Sequence, residues 1–165
     1  MFAIRERRNR LSLSASVAAV VVIAGVTDAA IRAVGWNQPP GEIWPDFAPR
    51  GRAIGLIWVG LFGGMGAAHW LVARSARSGA ARSADAIAVL IAACLSYPFY
   101  THFIHGHATE LAGNVVTFVL ATGIAIRTRH HSRLGAVLIG VVAAWIVFAT
   151  VLVLALIRLN GWGTT

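Results

Sequence analysis

Apolar positions along the chain gather into five long runs, at about 11–34, 52–73, 86–103, 111–126 and 134–159. Short polar segments separate them. A predominantly apolar stretch near twenty residues long matches the thickness of a bilayer core when it is helical. The pattern therefore predicts an all-α membrane protein, a five-transmembrane-helix bundle forming one domain over residues 1–165. Ser83 is a good N-cap for the third helix, with Asp85 favourable in its first turn. Glu110 opens the fourth. Residues 35–50, GWNQPPGEIWPDFAPR, form the one long connection, stiffened by proline.

Several runs carry an internal pattern. In the second, Gly60, Gly64 and Ala68 recur four apart, a row that allows close helix contact within a bundle or between protomers. Trp58, Phe62 and Met65 share another face of that helix. In the fifth, Trp145, Ala149, Leu152 and Leu156 lie on one face. In the first, Asp28 is followed one turn later by Arg32, which reads either as an interfacial ion pair or as the rim of a cavity. Pro98 in the third predicts a kink. The basic start, apolar core and small residues near Ala29 and Ala30 also fit a signal peptide, although the first run is long enough to be retained as a span.

Composition agrees with a membrane protein: 58% of residues are hydrophobic, 12% are charged, and mean hydropathy is +0.72. The net charge of +8 comes from arginine, since there is no lysine. A basic excess suggests nucleic acid in a soluble chain. Here the arginines sit between apolar runs and control topology instead. Arg5, Arg7, Arg8, Arg10, Arg74, Arg77, Arg82, Arg127, Arg129 and Arg133 fall on one side of a five-span bundle, and Arg32, Arg50, Arg52 and Arg158 on the other. The positive-inside rule then expects the N-terminus inside, and the C-terminus and long loop outside, in a multi-pass cell (inner) membrane protein. The single cysteine, Cys94, lies in an apolar run and forms no intramolecular disulfide.

Four constellations bear on chemistry. If the aromatic faces of the second and fifth helices converge, they form an apolar slot capped by Trp44 and Phe47. A flat, apolar, partly anionic ligand such as a tetrapyrrole or sterol suits it, with Arg50 or Arg52 at the rim for a carboxylate. The alternative is that the same aromatics pack the bundle and mark an interfacial belt. His102, His105 and His107, with Glu110 close by, could chelate a metal or haem iron, but the spacing fits no strong metal motif. His69 and the pair His130-His131 read as interface residues. A sterol-recognition pattern fails in the last helix, because no Tyr precedes Arg158 there. Asn114, Thr117 and Thr122 could form a polar path or bond the backbone of their own helix. No P-loop, Ser/His/Asp or Cys/His catalytic set stands out, and we expect no enzyme.

Residues 44–70 resemble the TspO/MBR family, the tryptophan-rich sensory proteins related to the translocator protein (peripheral benzodiazepine receptor). That family shows a Pro-x-Trp-x-Pro loop and a helix reading Trp-x-x-Leu-Tyr-x-x-Met-Gly-x-Ala. Here the loop reads Pro45-Asp46-Phe47-Ala48-Pro49, and the helix carries Trp58, Leu61, Phe62, Met65, Gly66 and Ala68. Phe replaces the loop Trp and the helix Tyr. The last helix is similar too, with Trp145, the Ala149-Thr150 pair, Arg158 and Asn160 in register. Departures are Ala93 for an Asn, Val141-Val142 for Pro-Tyr and Leu152-Val153 for Leu-Asn. The resemblance implies a five-helix bundle binding a hydrophobic planar ligand, a porphyrin or related tetrapyrrole, in a sensory, regulatory or transport role. It implies a pocket at Trp44, Phe47, Trp58, Phe62, Tyr97, Trp145 and Ala149, with no required cofactor, and it leaves porphyrin breakdown open, since some relatives are connected with it. Expected partners are the lipid bilayer, the ligand, and a second copy of the chain in a homodimer through helix two. The rival readings are an accessory membrane subunit whose glycine row binds a partner helix, and a His-based metal or haem-iron protein.

Overall fold

The computed structural model describes residues 12–35, 43–50 and 52–162. The arginines at 5, 7, 8 and 10, and residues 36–42 of the long loop, lie outside the described residues. Five helices follow in order: α1 (Leu13–Ala33), α2 (Arg52–Ala73), α3 (Ala80–Phe103), α4 (His107–Thr128) and α5 (Arg133–Asn160). There is no strand among the described residues. All five helices are long and apolar enough to cross a membrane. Helices satisfy most of their interior backbone polar groups within their own segment, which is what a bilayer demands. Large apolar side chains point outward along the bundle, Val22, Val26, Leu56, Val116 and Val119 among them. In water such a surface would drive aggregation; in lipid it is the solvent-matched face.

Local chemistry sets the helix ends. The Ser12 and Ser132 hydroxyls accept from the backbone N–H of Ala15 (3.1 Å) and Gly135 (3.0 Å), capping α1 and α5. Two expected starts move. Ser83 does not cap α3; it is 2% exposed inside the helix, which begins at Ala80 after Gly79 at φ +82°. The left-handed glycine ends the loop, and the alanines at 80, 81 and 84 are strong helix formers that carry the helix back to it. Likewise α4 starts at His107 after Gly106 at φ +111°, so Glu110 lies in the first turn, facing the positive end of the helix dipole. Helix α3 continues through Pro98, which lacks an N–H and so leaves the Cys94 carbonyl without its helical donor.

Helix α2 is the hub. It packs on α1, α3 and α5; α4 closes the ring between α3 and α5, and α1 also touches α3. The glycines that bring α1 and α2 together are Gly63 and Gly66. A Cβ on Gly66 would lie 3.1 Å from the Ser16 carbonyl oxygen and the Val17 Cα, and one on Gly63 would meet Val17 and Val21. The Ser16 hydroxyl donates across the contact to the Gly66 carbonyl (3.1 Å). The row expected from sequence is divided: Gly64 faces Leu138 of α5, Ala68 is fully buried, and Gly60 has open space around it. The exposed positions of α2 are Arg52, Ala53, Leu56, Val59, Gly60 and Ala73.

The bundle is filled unevenly. Toward the loops at 74–79 and 129–132, Met65, Val72, Ile87, Leu90, Ile139 and Val142 are fully buried and interlock. That half is a packed plug. The opposite half, under the long loop, encloses a cavity.

Candidate functional site

All five helices line this cavity, which measures about 380 Å³. The walls come from the loop-side halves of α1, α2, α3, α4 and α5, and Trp44 and Pro49 of the loop close over it. The loop segment is itself tied down. Asn160, the last residue of α5, accepts the Ile43 N–H through Oδ1 (2.8 Å) and donates through Nδ2 to the Ile43 carbonyl (2.9 Å). The same Nδ2 also reaches the Leu156 carbonyl (3.1 Å). A turn follows in which the Ala48 N–H donates to the Pro45 carbonyl (3.0 Å), with Pro45 and Ala48 buried.

One wall is a continuous aromatic array. Trp58 and Phe62, one turn apart on α2, have ring centroids 5.5 Å apart. Trp58 meets Trp145 of α5 edge to face at 6.4 Å, and Trp145 stacks on Phe148 at 5.1 Å. Phe47 then meets Phe148 edge to face at 6.2 Å. Each geometry suits the ring quadrupoles and fixes the rings in place. Trp44, Trp58, Phe62, Tyr97, Trp145 and Ala149 all line the cavity, as do Leu152 and Leu156. Phe47 does not; it is half-exposed and braces Phe148 from the loop. Met65 also falls outside, in the packed plug. Phe148 was missed, although its position three residues after Trp145 was a usable signal.

The polar groups in the lining differ from expectation. Neither Arg50 nor Arg52 reaches it. Arg50 sits on the loop 3.7 Å from Asp46, both well exposed. The carboxylates in the lining are Asp28 and Glu110. Asp28 is paired with Arg32, so the ion-pair and cavity-rim readings of this residue both hold. Glu110 bonds the buried His107 Nδ1 at 3.0 Å. Deeper in the wall, Asn114 is 4% exposed, and neither its Nδ2 nor the Trp145 Nε1 has a hydrogen-bond partner among the described residues. An unmade hydrogen bond on a buried donor costs about 1–3 kcal/mol, so two on one cavity wall are notable. Thr117 lines the cavity beside them, its hydroxyl donating to the Gly113 carbonyl (2.8 Å). Thr122 is not in the lining, and the expected polar path stops at Thr117.

The three histidines do not converge. His107 turns to Glu110, while His102 and His105 meet ring to ring at 5.9 Å. Among the described residues, no group of three His, Cys, Asp or Glu side chains is placed to hold a metal ion. Tyr97 faces the cavity and packs edge to face on Tyr100 at 5.5 Å.

Comparison with curated protein sequences gives no match. The TspO/MBR family profile, in contrast, matches residues 11–159, a stretch that takes in all the helices and every residue of the cavity. With five membrane-spanning helices, an aromatic loop over their mouth and this match along nearly its whole length, the chain belongs to the TspO/MBR family.

Proposed function

We propose that the protein binds a planar, largely apolar small molecule in this cavity, a porphyrin or related tetrapyrrole, in a sensory, regulatory or transport role. The observation that carries the proposal is the aromatic wall formed by Trp58, Phe62 and Trp145, with unpartnered N–H donors at Asn114 and Trp145 beside it. Flat π-faces suit a flat ligand, and a ligand acceptor would satisfy the buried donors. The volume of about 380 Å³ is toward the lower end of the range of roughly 300–1,000 Å³ for small-molecule sites. A ligand of porphyrin size therefore keeps an edge at the mouth. Asp28 and Glu110 in the lining repel acid groups, so the carboxylates of such a ligand turn outward, toward the loop-side arginines at 50 and 52.

The test is a titration of the detergent-purified protein with protoporphyrin IX, followed by porphyrin absorbance. The parent is compared with Trp58→Leu and Trp145→Leu. Saturable binding that weakens by about tenfold in each variant, roughly 1.4 kcal/mol, is the expected result for loss of one aromatic contact. Binding indifferent to both changes, or absent in the parent, removes the porphyrin reading.

A further inference from the structure

At the other end of the bundle a second, open cleft lies between the α2–α3 and α4–α5 connections, lined by Arg77, Arg129, His130, His131, Ser132 and Arg133. We propose that this cleft binds a phosphate group, carried by an anionic lipid headgroup. Three arginines line it, Arg77 from the α2–α3 connection, Arg129 from the α4–α5 connection and Arg133 from the first position of α5. The ion pairs Asp28–Arg32, Asp46–Arg50 and His107–Glu110 involve none of these three arginines. The cleft is held open by a specific tie, since the Arg77 guanidinium donates to the His130 carbonyl and so joins the two connections. His131, another lining residue, has a buried Nδ1 with no hydrogen-bond partner among the described residues, and an unmade bond on a buried polar atom is costly. The N-terminus of α5 opens into the same place. Ser132 Oγ takes the Gly135 N–H, and the Arg133 and Leu134 N–H groups make no hydrogen bond among the described residues.

These features point to an anion with several acceptor oxygens. Planar guanidinium donors match phosphate geometry, and an N-terminal helix dipole favours negative charge. The cleft sits where α2 and α4 end and α5 begins, the level of lipid headgroups for helices that span a bilayer. Nearby, Arg74 stands over the Trp70 ring at 4.7 Å, an aromatic-and-cation pairing typical of the interface. A basic pocket between helix ends at that depth is suited to an anionic headgroup.

The experiment is native mass spectrometry of the full chain released from mixed phosphatidylcholine and phosphatidylglycerol, scoring retained phosphatidylglycerol. Parent, Arg129→Gln/Arg133→Gln, Arg129→Lys/Arg133→Lys and the loop-end control Arg50→Gln/Arg52→Gln are compared. The Arg77 tie is left intact so that the cleft keeps its shape, and circular dichroism confirms helix content. In parallel, inorganic phosphate is titrated calorimetrically into the same four proteins. The expected result is phosphatidylglycerol binding weakened roughly 10–30-fold in the Gln pair, partly restored in the Lys pair and unchanged in the control. Phosphate binding with the same residue dependence, but lipid retention indifferent to it, keeps the anion site and overturns the lipid source. Retention equal in all four proteins, with no phosphate binding, overturns the proposal.

Discussion

Asn114 holds a carboxamide on the cavity wall with Nδ2 buried and unpartnered. Replacing such a group by an apolar one of similar size removes a desolvation penalty and deletes a ligand anchor. We therefore expect opposite effects in Asn114→Leu. The ligand-free protein melts at the same temperature as the parent or higher, while porphyrin affinity falls by about tenfold, the worth of one hydrogen bond in the upper part of the range. Thermal unfolding in detergent and the absorbance titration read the two halves separately. A destabilised variant with full affinity would show that the amide serves the fold and not the ligand. The tyrosine–glycine pair on α3 and α4 shows the opposite use of a side chain. The Tyr100 hydroxyl lies where a Cβ on Gly113 would be, and its Cζ would be 2.9 Å away, so the glycine admits the ring between the two helices.

Between elements, closeness is decided by which glycines meet backbone and which meet space. Gly66 faces the Ser16 carbonyl and Val17 Cα, atoms that cannot move without shifting α1. Gly66→Ala should cost about 1–3 kcal/mol through overpacking, whereas Gly60→Ala, with nothing within 4 Å, should be nearly neutral. Thermal unfolding compares them directly; equal effects would mean that the α1–α2 contact is not the tight one. The loop depends on a different device. Asn160→Ala removes both hydrogen bonds to Ile43, and each such bond contributes roughly 0.5–1.5 kcal/mol. Because the loop lies at the surface, the loss should appear as faster proteolysis and hydrogen exchange around residues 43–50 and faster ligand release, with little change in the melting of the bundle. Unchanged exchange in that segment would deny Asn160 its clamp role.

For the whole molecule, the two ends differ in charge and in filling. One end has a packed plug and an arginine-lined cleft; the other has the cavity, its carboxylates and the proline-stiffened loop. The positive-inside rule expects the arginine end on the cytoplasmic side. In a Cys94→Ala background, a membrane-impermeant maleimide should label Asp46→Cys in right-side-out vesicles and reach Ser78→Cys only after permeabilisation. The reverse pattern would invert the orientation.

The number of helices, their membrane character and much of the cavity wall were legible in the order of residues. Period and composition suffice for that: apolar runs of bilayer length have few other uses, and residues four or seven apart must share a helix face. The family motif added the loop, and Trp44, Trp58, Phe62, Tyr97, Trp145 and Ala149 do meet around one space. Other features depended on which faces turn toward each other. Phe47 braces Phe148 instead of lining the cavity, because the Asn160 tether and the Pro45–Ala48 turn set where the loop lies. The polar side chain in the cavity wall is Asn114 and not an arginine, because the loop holds Arg50 outside while α4 carries Asn114 into the wall. Arg77 lies far in sequence from Arg129 and Arg133, and only helix packing makes them one cleft. One-dimensional periodicity determines which residues share a face of a helix; the partner of that face depends on contacts between segments distant in the chain, and these exist only once the bundle has closed.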